Sequence, residues 1–369
     1  MKRLFAPIAL ALAVPVPVQS MAQGMAQDGE RQAAAIARAD AAARDRFVRA
    51  VEASGFAGTY LLYRGPRRIA GGSAGAAVAG APGGFTAEQV WPWASVTKQV
   101  VATLVMQEVE AGRLSLDVPA GRYLPALGAA SPTIRQLLRH RAGLRNPDDS
   151  AADANGFPGF YTTGPGGVGW CVAGRGAAGG TQRYNNCDYI VLGALLAQTT
   201  RTPLPVLFQR RIAGPLGLSA RFIDPAAPAA PDTVWAGGPD AGERQAMARF
   251  GGAGGIEGTA ADLATFDRAL LAGSLLSGAA RAEMWRGDPA LGGMALGQWA
   301  FAAPLKGCAA PVRLIERRGA IGRFAVRNVI APDLGLSMVL FTNRGDDGFG
   351  EIWQGRGLTH DLLSAGACA

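Results

Sequence analysis

Short apolar runs predict β-strands close to both ends of this 369-residue chain. Residues 58–75 hold two strand-forming segments around a Gly-Pro pair, which predicts two strands joined by a turn. Three similar runs occupy residues 313–319, 323–332 and 336–343. Because helical patterns lie between these two groups, we expect one sheet assembled from both termini, with a helical lobe inserted.

Helical spacing of apolar residues fills most of the remaining sequence. Residues 189–201 are nearly all apolar and predict a buried helix, whereas Gly112 and Gly143 are expected to end two others. The Gly- and Ala-rich segment 71–84 predicts a loop, and the passage from Pro225 to Gly242 predicts a long surface connection. The predicted helices cover residues 30–53, 100–112, 132–144, 189–201, 259–271 and 351–363.

The first residues predict an export signal. Two basic residues precede an apolar run over residues 4–18, and Ser20–Ala22 supplies the small residues of a signal-peptidase site. The run is shorter than the ~20 residues of a membrane span. No cysteine that could carry a lipid precedes Cys171. We therefore expect a signal peptide over residues 1–22 and a periplasmic protein without a membrane anchor.

Composition limits the remaining protein classes. Removing the signal lowers the formal net charge of +8 by two, and the arginines are scattered, so we expect no nucleic-acid partner. Residues 23–369 are expected to form one catalytic unit and a monomer. Its sheet lobe would comprise about 23–90 and 245–369, and its helical lobe about 91–244.

Four cysteines in an exported chain favour two disulfides. Three pairings are possible, and the pairing with the shortest loop joins Cys171 to Cys187 and Cys308 to Cys368. A zinc site would need a spacing such as C-x-x-C with nearby histidines. Because the chain has only two histidines, we expect no metal.

Ser95 and Lys98 are the first candidate for chemistry. Only three lysines occur among 36 strongly basic residues, so where a positive charge suffices this chain uses arginine. Lysine differs because its ammonium can lose a proton when buried. Three residues apart on a helix, the two side chains would share a face and supply a nucleophile with a base. The alternative is a helix N-terminus capped by Ser95, with Lys98 in solvent.

The sequence R-Y-N-N-C-D-Y, residues 183–189, is the second candidate. Tyr184 and Asn186 alternate, so both could face one cleft from a loop. A Cys171–Cys187 bridge would hold this loop, which is worth roughly 3 kcal/mol in the chain-entropy model. The alternative is an ordinary Asn-rich turn that caps the following helix.

The third candidate is E-R-R-G-A, residues 316–320. On a strand, Arg317 and Gly319 share one face while Arg318 points away. A cation beside a bare stretch of backbone suits an edge that binds a substrate carboxylate. The alternative is a surface strand with two solvated arginines.

One competing motif is G-G-S-A-G, residues 71–75, which matches the G-x-S-x-G elbow of α/β-hydrolases. That elbow needs a helix after the serine, but A-A-V-A-G-A-P-G-G follows Ser73. A triad would also need His360, close to the C-terminus. His140 is expected to be a packed or capping residue. We therefore favour Ser95 over Ser73.

Together, S-x-x-K, Y-x-N and R-x-G in this order resemble the signature of the serine β-lactamase and penicillin-binding protein superfamily, in its class C and esterase branch. The similarity extends from about residue 50 to 345, through stretches such as E-A-G-R-L-S-L-D-V-P, Y-I-V-L-G-A-L-L and G-G-I-E-G-T-A-A-D-L-A-T-F. The resemblance implies a mixed α/β (α+β) fold with a central antiparallel sheet flanked by helices.

The resemblance also implies a role for each motif residue. Ser95 would be the nucleophile, Lys98 would help to deprotonate it, and Tyr184 would relay the proton to the leaving group. Which of Lys98 and Tyr184 is the base stays open. Asn186 would hold the substrate's acyl amide.

The backbone N–H groups of Ser95 and of Ala320, which follows Gly319, would form the oxyanion hole. One departure is Arg317, because the family usually has Lys or His there.

These observations predict an exported serine hydrolase that forms an acyl-enzyme on Ser95 and needs no cofactor. Its expected substrates are small molecules or peptides, amides or esters with a carboxylate, such as D-amino-acid peptides or β-lactams. One alternative is a penicillin-binding or peptidoglycan-sensing protein without turnover. The other is an esterase for neutral esters.

Overall fold

The computed structural model describes residues 18–77, 84–154, 156–164, 166–227, 229, 233–234, 241–346 and 348–368. The chain divides after Ala42 into a first unit, whose described part is helical, and a second unit, Ala43–Ala369. Residues 1–17 of the expected signal peptide, and most of the passage expected to connect Pro225 to Gly242, lie outside the described residues. Export therefore stays a prediction.

A six-stranded antiparallel sheet is the centre of the second unit, in the described part of the chain. Its order is β2-β1-β9-β8-β7-β6, so strands from both ends of the sequence lie side by side, as expected. A smaller sheet has the order β3-β5-β4. The strands are β1 (Gly58–Arg64), β2 (Arg67–Ala74), β3 (Trp91–Pro92), β4 (Arg221–Phe222), β5 (Ile256–Gly258), β6 (Trp299–Ala303), β7 (Val312–Ile321), β8 (Phe324–Ala331) and β9 (Leu336–Thr342).

Helices precede, separate and follow these strands in the described residues. They are α1 (Val18–Ser54), α2 (Thr97–Glu110), α3 (Ile134–Leu138), α4 (Gly167–Val172), α5 (Asn186–Thr200), α6 (Leu204–Phe208), α7 (Gly214–Leu216), α8 (Ala241–Arg249), α9 (Ala260–Ala272), α10 (Gly278–Met284) and α11 (Leu358–Ala367). A π-helical turn, Gln209–Ala213, joins α6 to α7.

The two central strands explain the apolar runs near the C-terminus. Every residue of β8 and β9 is buried, because helices cover both faces of the sheet. Phe47 from the last turns of α1 and Leu362 from α11 pack on one face. On the other, α9 lies against β9 and β1. Strands buried on both faces are mostly apolar on both faces, and this gives a nearly continuous run instead of alternation, although Arg327 and Asn328 of β8 are buried polar residues.

Three sequence predictions need correction. The helix expected over 132–144 is shorter, Ile134–Leu138. Thr133 and Gln136 cap its start, and it ends before His140, which adopts a left-handed conformation with φ 57°. Gly143 therefore lies in the loop beyond it. The helix expected over 351–363 is a 3-10 turn, Ile352–Gln354, followed by α11. Strand β2 also continues to Ala74, into the segment expected to be loop.

Among the described residues, no single helix is long and apolar enough to cross a membrane. One pair of helices, Asn186–Thr200 and Leu204–Leu216, meets the length and composition criteria together but is bent by 75°.

The two disulfides follow the predicted short-loop pairing. Cys171 of α4 is bonded to Cys187 in the first turn of α5, and Cys308 after β6 is bonded to Cys368 after α11. The first bridge closes a loop of 16 residues immediately beside Tyr184 and Asn186.

We expect peptide mapping of unreduced protein to recover the Cys171–Cys187 and Cys308–Cys368 pairs. Replacing both Cys171 and Cys187 with serine should lower the free energy of unfolding by about 3 kcal/mol, because the unfolded chain regains the entropy of the open loop. Chemical denaturation of the variant and the parent measures this difference. Four free thiols in exported protein would refute both the pairing and the compartment.

Candidate active site

Ser95 lies in a tight turn between β3 and α2. The 3-10 turn Ala94–Val96 leads directly into α2, and the flanking Trp91 and Trp93 are fully buried. Ala94, one residue before the serine, has φ 43°, a left-handed conformation that is uncommon for a residue with a side chain. Strained backbone of this kind clusters at functional sites. The turn leaves Ser95 partly exposed at the start of a buried helix.

Lys98 lies one helical turn further on and is completely buried. Its Nζ is 2.9 Å from Ser95 Oγ, 2.8 Å from Asn186 Oδ1 and 2.7 Å from the carbonyl oxygen of Ala253. This overturns the alternative of a solvated lysine. A neutral amine has two N–H groups for the two carbonyl oxygens, and its lone pair then faces the serine hydroxyl.

Burial sets the protonation behaviour of Lys98. It lowers the pKa of Lys98 well below its ordinary value, the positive charge of Arg317 lowers it further, and the carboxylates of Asp148 and Asp188 oppose the shift. The site therefore favours the neutral amine, which is the form that can accept a proton.

Tyr184 and Asn186 enter the site from the loop that ends where α5 begins. Asn185 caps this helix, because its Oδ1 accepts from the backbone N–H of Cys187 at 2.8 Å. The alternative of a capping turn thus describes Asn185, while Asn186 contacts Lys98. Tyr184 Oη lies 2.5 Å from Ser95 Oγ, although 36% of the residue is exposed. Burial of its hydroxyl raises the pKa of Tyr184, and Arg317 opposes this shift.

Arg317 approaches the same atoms from β7. Its side chain is completely buried; Nε donates to the carbonyl oxygen of Ser95 at 2.8 Å and Nη2 to Tyr184 Oη at 3.1 Å. Arg318 points away and pairs with Glu351. The alternation of β7 is therefore as predicted, but Nε and Nη2 of the buried guanidinium already donate to protein groups, whereas Nη1 has no hydrogen-bond partner among the described residues.

Gly319 lets β7 pack directly on the turn that holds the serine. A Cβ at this position would lie 2.6 Å from the carbonyl oxygen of Trp93 and 2.9 Å from the backbone nitrogen of Ser95. Such distances leave no room for any other residue. The next residue, Ala320, is exposed and pairs with Ala325 of β8. In the described residues β6 pairs with β7 only as far as Glu316, so the edge beyond it is open.

Tyr161 and Asp148 also belong to the site, although the sequence did not indicate them. Asn186 Nδ2 donates to Tyr161 Oη at 2.9 Å, and the tyrosine hydroxyl donates to Asp148 Oδ1 at 3.1 Å. The ring of Tyr161 stacks on Phe250 with centroids 3.7 Å apart. These contacts fix the amide of Asn186 so that its oxygen faces Lys98. Asp148 and Tyr161 lie in the short 3-10 turns Pro147–Asp149 and Gly159–Tyr161, which carry no motif, so no sequence signal could have identified them.

A buried histidine and aspartate lie beneath Tyr184. His140 Nδ1 is 3.0 Å from Asp188 Oδ2, and its ring centroid is 4.7 Å from that of Tyr184. Burial lowers the pKa of His140 well below, and raises the pKa of Asp188 well above, their ordinary values. The prediction that His140 is a packed residue is confirmed. In addition, its ring packs against the ring of Tyr184.

Ser73 is remote from this chemistry. It lies on β2, where its hydroxyl donates to the carbonyl oxygen of Phe85 at 2.6 Å, and no helix begins in the described residues directly after it, 74–77. Likewise, the described residues contain no group of three or more His, Cys, Asp or Glu side chains placed to hold a metal ion.

Comparison with known protein families shows where the chain belongs. A family described as Beta-lactamase matches residues 43–358, which is most of the chain. The chain belongs to the β-lactamase family. It is therefore a serine hydrolase, and the resemblance in the three motifs reflects membership.

Solved structures of similar fold include proteins with several different names. SurE with D-Leu is 25% identical, with 89% of this chain and 76% of that one covered and a TM-score of 0.67. The D-amino acid amidase from Ochrobactrum anthropi SV3 with D-phenylalanine is 20% identical, with coverages of 89% and 98% and a TM-score of 0.67. EstCE1, a hydrolase with promiscuous acyltransferase activity, is 20% identical, with coverages of 89% and 99% and a TM-score of 0.70. These matches establish the β-lactamase-like fold.

Proposed function

We propose that this protein is an exported, monomeric serine hydrolase that cleaves amides or esters through an acyl-enzyme on Ser95. The observation that carries the proposal is the convergence of three side chains, since Ser95 Oγ lies 2.9 Å from Lys98 Nζ and 2.5 Å from Tyr184 Oη. A nucleophile between a neutral amine and a neutral phenol has both a proton acceptor and a proton donor.

In acylation, Lys98 acts as the general base. Its two N–H groups are held by Asn186 and Ala253, so the lone pair takes the proton of Ser95 as Oγ attacks the carbonyl carbon. The backbone N–H groups of Ser95 and Ala320 would stabilise the oxyanion, and each such donor is worth about 3 kcal/mol.

Tyr184 then acts as the acid. Arg317 donates to its oxygen, which leaves the phenolic proton free for the leaving group. When the bond between carbonyl carbon and leaving group breaks, this proton passes to the leaving nitrogen or oxygen. The phenolate that forms is stabilised by Arg317 and by the Lys98 ammonium, and it can activate water for deacylation.

The substrate we propose is an amide or ester of a D-amino acid or D-peptide, or a β-lactam. Similar folds bind D-Leu and D-phenylalanine, which supports the first class. A penicillin-binding protein without turnover is the second candidate. It is favoured by Arg317, because a guanidinium cannot shuttle protons during deacylation as Lys or His could.

The test is to label purified protein with a fluorescent penicillin and with a fluorophosphonate, then to follow the penicillin label over time. Prompt labelling followed by release indicates a hydrolase, whereas a permanent penicillin label indicates the second candidate. Absence of both labels on native protein would overturn Ser95 as a nucleophile.

Replacing Arg317 with alanine tests whether this residue supports Ser95 and Tyr184 or binds a substrate carboxylate. Because Arg317 contacts Tyr184 and Ser95, we expect kcat/KM to fall by a similar factor for carboxylate-bearing and for neutral substrates. The fall should correspond to a loss of roughly 1.5–3 kcal/mol of transition-state stabilisation. Kinetics with a D-peptide and with p-nitrophenyl butyrate measures the two losses. Arg318→Ala is the control, and it should change neither. A loss confined to the carboxylate-bearing substrate would restore the role expected from the sequence.

A further inference from the structure

Asp148 places a carboxylate at the mouth of the site. The residue is exposed, whereas the groups behind it, Tyr161, Asn186 and Lys98, are buried. Hydrogen bonds connect these four residues in a row, from the carboxylate through the phenol and the amide to the amine beside Ser95. Asp148 is thus three hydrogen bonds from the general base, on the side of the cleft that Asn186 lines.

The carboxylate lacks a cationic partner in the part of the chain that the structure describes. Its contacts are the hydroxyl of Tyr161 on Oδ1 and the amide of Asn186 at 3.4 and 3.5 Å. Two nearby arginines have other partners. Arg183 binds Asp149, and Arg249 donates to the carbonyl oxygens of Thr162 and Gly164. Oδ2 therefore has its acceptor capacity almost unused.

The position contrasts with the other side of the site, where the guanidinium of Arg317 supplies positive charge. Arg317 lies behind Tyr184 on one side of the cleft, and the exposed carboxylate of Asp148 lies on the Asn186 side, next to the stacked rings of Tyr161 and Phe250. A carboxylate with open acceptor sites beside aromatic rings suits an ammonium group, which donates up to three hydrogen bonds.

We infer that Asp148 recognises an ammonium group on the acyl part of the substrate. The substrate class is then an amide or ester of an amino acid with a free amino group, or a peptide cleaved after its first residue. This inference rests on the proposed function, because Asn186 would line the acyl side only if Ser95 is the nucleophile.

The test compares two p-nitroanilides that differ only in the ammonium group, that of D-phenylalanine and that of 3-phenylpropionic acid. In Asp148→Asn, kcat/KM for the D-phenylalanine compound should fall about 10- to 100-fold, the scale for a lost hydrogen bond to a charged group. The compound without the ammonium should change less than about threefold, because asparagine keeps an oxygen for Tyr161. Asp149→Asn, in the same loop but paired with Arg183, should leave both values unchanged.

Two results would overturn the inference while leaving the proposed function intact. If Asp148→Asn lowers kcat/KM of both compounds equally, Asp148 only orients Asn186 through Tyr161. If neither value falls, the carboxylate does not contact the substrate. Failure of the proposed function looks different: the wild-type protein would cleave neither compound, and a fluorophosphonate would not label Ser95.

Discussion

Replacing Ser95 with alanine is expected to abolish acylation and to lower turnover by about 10⁶-fold, the scale for removing a serine nucleophile. The reason is that Lys98 Nζ and Tyr184 Oη both contact Ser95 Oγ, so no other hydroxyl can use this base and acid. The measurement is the rate of fluorophosphonate labelling together with hydrolysis of p-nitrophenyl butyrate.

Ser73→Ala is the matched control for this experiment. Ser73 lies on β2 within G-G-S-A-G, the motif that competes with Ser95, and its hydroxyl donates to the carbonyl oxygen of Phe85. The variant should label and turn over like the parent protein. If Ser73→Ala silences the protein while Ser95→Ala does not, the nucleophile has been assigned to the wrong motif.

Replacing Lys98 with arginine or methionine is expected to lower kcat/KM by about 10²- to 10⁴-fold, the usual contribution of a general base. Arginine keeps the charge but cannot accept the serine proton, and methionine keeps the approximate length without a basic nitrogen. Thermal unfolding of each variant separates a loss of chemistry from a loss of fold. Full activity in Lys98→Arg would exclude proton acceptance by this residue.

The pH dependence follows from the direction of the Lys98 shift. Because burial lowers the pKa of Lys98, the neutral amine forms at a lower pH than in an ordinary lysine, whose pKa is about 10.4. In the parent protein kcat/KM should therefore rise with pH and level off well below that value. The residual activity of Lys98→Met should lack this rise, and an unchanged profile in that variant would assign the titration to another group.

Much of the fold could be predicted, because its elements have strong local patterns. Buried strands β8 and β9 give largely apolar runs, and α5 and α9 begin at capping residues and carry many buried apolar residues. Predictions failed where tertiary contacts decide the backbone. His140 leaves the helix after Leu138 because its ring is bonded to Asp188, far along the sequence.

In the candidate active site too, residues in local motifs could be predicted and tertiary contacts could not. The sequence located Ser95, Lys98, Tyr184 and Asn186, because lysine is rare here and the motifs have fixed spacing. It also predicted which face of β7 Arg317 occupies, but not that this guanidinium is buried against Tyr184. Asp148 and Tyr161 could not be predicted, since loops bring them to Asn186 without any periodic pattern.

The most direct test of the central claim is to trap the acyl-enzyme and locate it. Protein mixed with a slowly released acyl donor such as a penicillin is quenched in acid, its intact mass is measured, and its peptides are sequenced by mass spectrometry. We predict one added acyl group, carried by Ser95 in the peptide that contains Lys98. An adduct on any other residue, or hydrolysis without an adduct at any quench time, would contradict the account.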